Sequence, residues 1–252
     1  MLDPFTIAIA ALGIFLIAFM KGAFGGGFAI IGIPLLSLVM DPVTAGGLLA
    51  PMFVIMDLVA LKYWKPSTWS KPELKLLIPG LCIGFLLGFM LLKSIDRPTV
   101  ALLVGGLTLA MTGQWLLGTG EAKEQPRNVA LGVSAGAASG FTSMVAHSGG
   151  PPLIAYLLTR GLPKAVYAGT SSAFFTIGNV FKAVPWLIIA QPDRNVWLLM
   201  LVLVPVVPLG VWAGWKLHNR LDQKELTRAC YLLLIVTSLK LVWDGLRGQG
   251  LI

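Results

Sequence analysis

Long apolar stretches separated by short polar ones run through the chain, and they predict its helices. The apolar segments number ten, at 4–20, 24–40, 43–62, 74–93, 98–118, 128–146, 149–159, 165–188, 195–216 and 227–246. Several approach or exceed the roughly 20 residues that an α-helix needs to cross the hydrocarbon core of a bilayer. The pattern therefore predicts an all-α, polytopic membrane protein.

Two glycine-rich runs interrupt the apolar stretches at corresponding places. The first covers residues 21–34 and the second 139–152, an offset of 118 residues. The helix after the second run, at 151–159, would be only about 14 Å long and could not span a core of about 30 Å. We expect each run to lie at the bend of a re-entrant pair of half-helices or at a break near the middle of the bilayer. This gives eight spanning helices, or up to ten segments, in all.

The glycine-rich runs belong to a longer internal repeat. Asp57 aligns with Asn179 at an offset of 122 residues. We interpret the chain as two repeats, 1–118 and 128–252, joined by a linker at 119–127. Each repeat crosses the membrane an odd number of times, so the second has inverted topology. Broken helices at matching places in such repeats are typical of a transporter's binding site.

The charged residues support the inverted arrangement. The chain is 56% hydrophobic and only 12% charged, which excludes a water-soluble globule because such domains are about 25% charged. The net charge of +8 comes mainly from short loops, so it indicates membrane sidedness rather than nucleic-acid binding. Four basic residues fall on one side of the predicted topology and twelve on the other: Lys62, Lys65, Lys71, Lys75, Lys123, Arg127, Arg160, Lys164, Lys216, Arg220, Lys224 and Arg228. We expect the richer side and the linker to be cytoplasmic, with both termini opposite.

The two breaks also predict where a substrate binds. Backbone freed at a break must face protein or a cavity, and the helix that follows presents a partly positive N-terminus. Two such N-termini from inverted repeats would converge on a small anion. The residues that would let it touch the backbone are Gly25, Gly26, Gly27, Ser148, Gly149 and Gly150. The alternative is that glycines only allow close helix packing, which we prefer for scattered ones such as Gly84 and Gly88.

Polar residues at the breaks are further candidates, because each is costly within a bilayer. Lys21 directly precedes the first glycines. It is either a cation at the substrate site or an anchor at the membrane interface. His147 lies at the second break, where it serves either as a donor or proton acceptor for the site or as a structural contact.

Polar residues inside the apolar segments form a second set of candidates. Asp57 and Asn179 serve either proton coupling or hydrogen bonding between helices. Lys182 lies on the same helical face as Asn179. It either draws an anion inward or, as we prefer, extends to the interface near Trp186. The tryptophans cluster towards segment ends, which indicates aromatic belts. Ser171 belongs to a polar stretch that could face the pathway.

The assembled residues give the chain a resemblance to the sulfite exporter family TauE/SafE over nearly its whole length. The resemblance depends on the Gly-Gly-Gly-x6-Pro run at 25–34, the His-Ser-Gly-Gly-Pro-Pro run at 147–152, and the polar pair Asp57 and Asn179. It implies a bacterial inner-membrane protein that exports or takes up small sulfur-containing anions, such as sulfite or organosulfonates.

Secondary transport is therefore the function that we expect: export of a small sulfur-containing anion by alternating access at a midplane site formed by the two breaks. The sequence has no Walker-type nucleotide loop, so coupling would come from an ion gradient or from the gradient of the substrate. An anion channel or an uptake permease for other small organic anions is the alternative.

An enzyme is not expected. His147 and His218, the latter placed in a basic loop, show no metal-ligand spacing with the cysteines, and we predict no catalytic residues, metal or cofactor. The expected partners are the small anion and the lipid bilayer. A homodimer is an open possibility.

Overall fold

The computed structural model of the chain describes residues 3–27, 35–36, 38–91, 98–99, 102, 105–106, 109 and 126–251. Part of the segment predicted at 24–40, most of the segment predicted at 98–118 and most of the linker predicted at 119–127 lie outside the described residues.

The regular structure of the described residues is helical, which confirms the all-α prediction. A short 3-10 turn lies at Pro66–Thr68. The α-helices are α1 (Pro4–Phe24), α2 (Pro42–Ala60), α3 (Lys71–Leu91), α4 (Val129–Ala146), α5 (Gly150–Leu158), α6 (Lys164–Ala190), α7 (Arg194–Leu203), α8 (Val206–Arg220) and α9 (Gln223–Gly248).

Helix length and composition identify the membrane-spanning elements. Among the described residues, α1, α2, α3, α6 and α9 are long and apolar enough to cross a bilayer, and α7 with α8 would form a sixth, broken span. α4 is apolar but shorter. The count of eight spans includes segments outside the described residues and stays a prediction.

Polar caps fix where several helices begin. The Asp41 side chain accepts hydrogen bonds from the backbone N–H groups of Val43 and Thr44 at the start of α2, both at 3.0 Å. Hydrogen bonding to Thr44 lowers the pKa of Asp41 below its ordinary value, because it favours the carboxylate. At α9, Asp222 and Glu225 form a reciprocal capping box. These caps satisfy N–H groups that a helix leaves unpaired at its start.

A proline breaks the segment predicted as one helix at 195–216. Pro205 stands between α7 and α8, whose axes differ by 42°. Pro79, which aligns with Pro205 at an offset of 126 residues, lies inside α3 without ending that helix. Proline removes one helical hydrogen bond and crowds the preceding turn. The helix accommodates this at Pro79, whereas at Pro205 it is divided in two.

The most extensive helix contacts pair one helix from residues 1–118 with one from 128–252. These pairs are α3 with α4, α1 with α8, and α2 with α6. Glycines allow the backbones to approach. A Cβ atom on Gly84 would overlap the carbonyl oxygen of Ala137, and one on Gly214 would overlap that of Phe19. The packing role predicted for Gly84 is thus confirmed.

Candidate functional site

A small cavity lies where the ends of α1 and α4 meet α2, α5 and α6. The space within it that is open to the centre of a water molecule is about 20 Å³. The residues that line it are Lys21, Gly27, Phe53, Ser143, His147, Gly149, Gly150, Phe175, Asn179 and Lys182. Seven of these ten are candidates from the sequence.

The ends of α1 and α4 border the cavity, and the backbone turns into the left-handed region at both. α1 ends just before Gly25, and the φ angles of Gly25, Gly26 and Gly27 are 75°, 104° and 90°. α4 ends just before His147, whose φ is 52°. Glycine adopts these angles without steric cost. A histidine there is uncommon, which marks the second break as a specially held position.

The two glycine-rich runs are in direct contact. A Cβ atom on Gly150 would overlap the carbonyl oxygen of Gly27. A Cβ atom on Gly27 would lie 2.6 Å from Cδ1 of Ile154 in α5. A side chain at Gly150 would therefore force the two runs apart, and one at Gly27 would displace the side chain of Ile154.

The structural ends of α1 and α4 correct the alignment of the two runs. Their left-handed caps, Gly25 and His147, are separated by 122 residues rather than 118. This is also the offset between Asp57 and Asn179. An offset of 122 residues aligns Lys21 with Ser143. The corresponding helix ends thus each send a polar side chain towards the cavity.

A buried ion pair joins the end of α1 to α2. The Lys21 ammonium group bonds Oδ1 of Asp57, and the two side chains are only 3% and 1% exposed. Asn179 of α6 donates from Nδ2 to Oδ2 of Asp57 at 2.6 Å. The interpretation of Lys21 as an interfacial anchor is wrong, because burial places it inside the helix bundle. Of the two roles considered for Asp57 and Asn179, hydrogen bonding between helices is present.

Lys182 extends into the cavity, so the preferred interpretation of an interfacial side chain is wrong. It is 3% exposed, and its Nζ donates to Oγ of Ser143 at 3.1 Å. Its Nζ also lies 4.7 Å from the centre of the Phe53 ring, and Nζ of Lys21 lies 5.3 Å from the same ring. The aromatic face stabilises both cations where water is largely excluded.

Two aromatic rings hold His147 against the cavity wall. Its ring centre lies 4.3 Å from that of Trp186 and 5.7 Å from that of Phe53. Trp186 is 1% exposed and donates from Nε1 to the backbone oxygen of Met144 at 3.2 Å. The aromatic-belt interpretation is therefore wrong for Trp186. It is wrong also for Trp64, which is 2% exposed.

The remaining sequence candidates lie outside the lining. Gly25 packs against the backbone of Ala168, and Gly26 faces Phe175. Ser148 and Ser171 are buried but do not line the cavity. Asp57 lies behind the wall and meets the cavity only through its partners.

Sequence reasoning missed three lining residues: Phe53, Ser143 and Phe175. Phe53 and Phe175 share the offset of 122 residues with Asp57 and Asn179, and each lies four positions earlier on the same helix. One helical turn places such positions on the same face. That shared spacing is the signal that could have found them. Ser143 lies within the second glycine-rich run, where only the glycines and their immediate neighbours were considered.

A second polar cluster, centred on the buried carboxylate of Glu73 and termed the Glu73 cluster, joins the start of α3 to the end of α5. Glu73 accepts hydrogen bonds on Oε1 from Nε of Arg127 at 3.0 Å and of Arg160 at 3.2 Å. The hydroxyl group of Tyr156 donates to Oε2 of Glu73. The cluster lies apart from the cavity lining. Nothing in the sequence pattern indicated it.

His218 lies in the last turn of α8 and is 1% exposed, so its placement in a basic loop is wrong. Its Nδ1 is 2.8 Å from the carbonyl oxygen of Ala23, and its ring meets Trp64 edge-on at 4.6 Å. Across the part of the chain that the structure describes, no group of three or more His, Cys, Asp or Glu residues is arranged to hold a metal ion.

The groups that converge on the cavity are those that bind a small anion. Lys182 supplies an ammonium group and Ser143 a hydroxyl. Gly149 and Gly150 lie where α5 begins, and no side chain caps that helix start by a hydrogen bond. The start of a helix carries partial positive charge that favours anions. Gly150 presents a backbone N–H there, whereas Pro151 and Pro152, which follow it, have none.

Fold and site together define a multi-pass membrane protein with a cavity, lined by polar and aromatic residues, where α1 and α4 end. A family model described as the sulfite exporter TauE/SafE matches residues 10–241, which is nearly the whole chain. The chain belongs to this family, whose members are membrane transporters of the anion or sulfite exporter type. No curated protein and no solved structure matches the chain.

Proposed function

We propose that the chain is a secondary transporter that exports a small sulfur-containing anion, such as sulfite or an organosulfonate, across the bacterial inner membrane. Alternating access at the cavity between the two glycine-rich breaks would move the anion. Family membership supports the transporter class. The cavity supports the binding of an anion rather than of a neutral solute.

Lys182 is the observation that carries this proposal. Its side chain is buried, and its hydrogen bond goes to the neutral hydroxyl of Ser143 rather than to a carboxylate. A buried cation without a directly bonded acid is costly, and membrane-embedded charges usually mark a substrate or ion pathway. An anion in the cavity would offset that cost each time it binds.

The reciprocal helix packing supports a site between two related halves. At offsets of 122 and 126 residues, α1 corresponds to α4, and α3 corresponds to α7 with α8. The contact of α1 with α8 therefore has its counterpart in the contact of α4 with α3. α2 and α6, which correspond to each other, pack together. Such reciprocity is what a pseudo-twofold relation between inverted repeats would produce.

Contacts among the basic loops support the proposed sidedness. Arg127 and Arg160 meet at Glu73. Lys164 donates from Nζ to the carbonyl oxygen of His218 at 3.1 Å. These contacts join loops that the charge pattern assigns to one side, which by the positive-inside rule would be cytoplasmic. Membrane-impermeant labelling of a single cysteine at Lys65, in intact and in permeabilised cells, tests this orientation.

Flux into liposomes tests the transport function. Purified protein would be reconstituted, and sulfite, sulfoacetate and sulfate would be offered under imposed membrane potentials and pH gradients. We expect saturable flux of at least one sulfur oxyanion, driven by the potential and stimulated by substrate on the opposite side. Non-saturable flux without that stimulation would indicate the channel alternative, and no flux of any of these anions would contradict the proposal.

A further inference from the structure

We infer that the cavity is matched to a singly charged anion, because two ammonium groups and one carboxylate give it one net positive charge. This inference rests on the proposed function and narrows the substrate by charge. The groups counted are Lys21, Lys182 and Asp57.

The hydrogen bonds of Asp57 determine how these charges are shared. One carboxylate oxygen bonds Lys21 and the other accepts from Asn179 at 2.6 Å. Both oxygens of the carboxylate are thus bonded within the cavity wall, and its negative charge balances the positive charge of Lys21. Lys182 bonds a neutral hydroxyl instead and faces the cavity. One unmatched positive charge therefore remains for the ligand.

Burial strengthens the effect of the net charge of the cavity on a bound anion. The side chains of Lys21 and Asp57 are 3% and 1% exposed, and Lys182 is 3% exposed. In such surroundings charge is screened far less than in water. A doubly charged ligand would leave one negative charge uncompensated in a buried site, and that is unfavourable. A singly charged ligand would leave none.

Among the residues that the structure describes, His147 is the other ionisable side chain of the lining. Uptake is therefore measured at one neutral pH for the unmodified protein and for every variant. At that pH both probe anions chosen below also hold a fixed charge.

Methanesulfonate and sulfate form the test pair, because both are compact and tetrahedral at sulfur but carry one and two negative charges. Uptake of each into liposomes, measured alone and in competition with sulfite, gives the preference of the protein. Hydration also disfavours entry of sulfate, so the preference of the unmodified protein alone decides nothing. The change in preference on altering the charge of the site is the quantity to measure.

The decisive variant is Asp57→Asn, which raises the net charge of the cavity from one to two positive charges. We expect the ratio of sulfate to methanesulfonate uptake to rise by at least about tenfold, because a change of roughly 1.4 kcal/mol in relative binding is tenfold. The matched control is the double variant Lys21→Met with Asp57→Asn. It removes the ion pair but keeps the net charge, so its ratio should return towards that of the unmodified protein.

An unchanged ratio in Asp57→Asn would overturn the charge match while leaving the transport function in place. If Asp57→Asn does not fold, the double variant serves as the reference instead, since replacing a buried ion pair by neutral side chains is often tolerated. It is compared with the same variant carrying Asn179→Asp, which lowers the net charge of the cavity by one. A fall in the ratio of sulfate to methanesulfonate uptake on that change supports the inference, and an unchanged ratio overturns it. If the unmodified protein moves none of the three anions, the proposed function itself fails.

Discussion

Asp57 and Glu73 are equally buried carboxylates, each 1% exposed and each close to two basic side chains, yet they are arranged for different purposes. Both arginines near Glu73 bond the same carboxylate oxygen, and Tyr156 bonds the other. Of the two lysines near Asp57, only Lys21 bonds it.

This difference shows that burial alone does not identify a binding site. In the Glu73 cluster the charged side chains bond one another, and these bonds join the start of α3 to the end of α5. Around Asp57, the second cation, Lys182, does not bond the carboxylate and faces the cavity instead. We therefore expect changes at the Glu73 cluster to affect stability and changes around Lys182 to affect binding of the anion.

Lys182→Met should produce the largest effect on transport. Loss of the ammonium group removes a charged hydrogen-bond donor from a buried site, so we expect the KM for the anion to rise at least about a hundredfold, or about 2.7 kcal/mol. Flux into liposomes measures it. Lys216→Met is the matched control, because Lys216 also lies over an aromatic ring, 3.9 Å from the centre of Trp212, but on an exposed surface. Equal KM values for the two variants would contradict the assignment.

Glu73→Ala should destabilise the protein with little effect on KM. It leaves two arginines without their carboxylate. We expect a loss of roughly 3 kcal/mol, at the low end for a broken buried pair because Arg127 is 46% exposed. Thermal unfolding in detergent measures the stability. The matched control is Asp244→Asn in the exposed pair with Lys240. A stable Glu73→Ala protein with an altered KM would reverse the roles of the two groups.

Ser143→Ala should have an intermediate effect on binding. It removes the hydroxyl that holds Lys182, so we expect KM to rise by about tenfold, the equivalent of one charged hydrogen bond. Ser134→Ala is the control on the same helix, since Ser134 is exposed and bonds the carbonyl oxygen of Ala130. A KM unchanged in Ser143→Ala would show that Lys182 is positioned without this contact.

Arg127→Ala should have the smallest effect. Its guanidinium group is 46% exposed, and half-exposed ion pairs contribute less than about 1 kcal/mol. Arg160, at 12% exposure, should contribute more to the same cluster. Comparing the thermal unfolding of the two alanine variants ranks them, and the opposite order would contradict the burial argument.

The sequence could predict where α1 and α4 end because glycine acts locally on the backbone. Gly25, Gly26 and Gly27 end α1 where the pattern indicated, and the residues of the second run end α4 and begin α5. The alignment of Asp57 with Asn179 could also be predicted from the sequence, because a repeat preserves the spacing between residues.

Side-chain direction could not be predicted in the same way. Lys182 lies eight residues before the end of α6, and its helical position alone permits either the interface or the interior. Only the packing of α6 against α2 and the end of α4 decides between them. The partners of Glu73 are 54, 83 and 87 residues away in the chain, so no local pattern could have joined them.

Locating a bound anion would test the central claim most directly. A crystal structure with bromomethanesulfonate would mark the ligand by the anomalous signal of bromine and by the density of the sulfonate group. Our account predicts a sulfonate oxygen within about 4 Å of Nζ of Lys182, the usual limit for an ion pair. Sulfonate density at Arg127 or Arg160, with none beside Lys182, would contradict it.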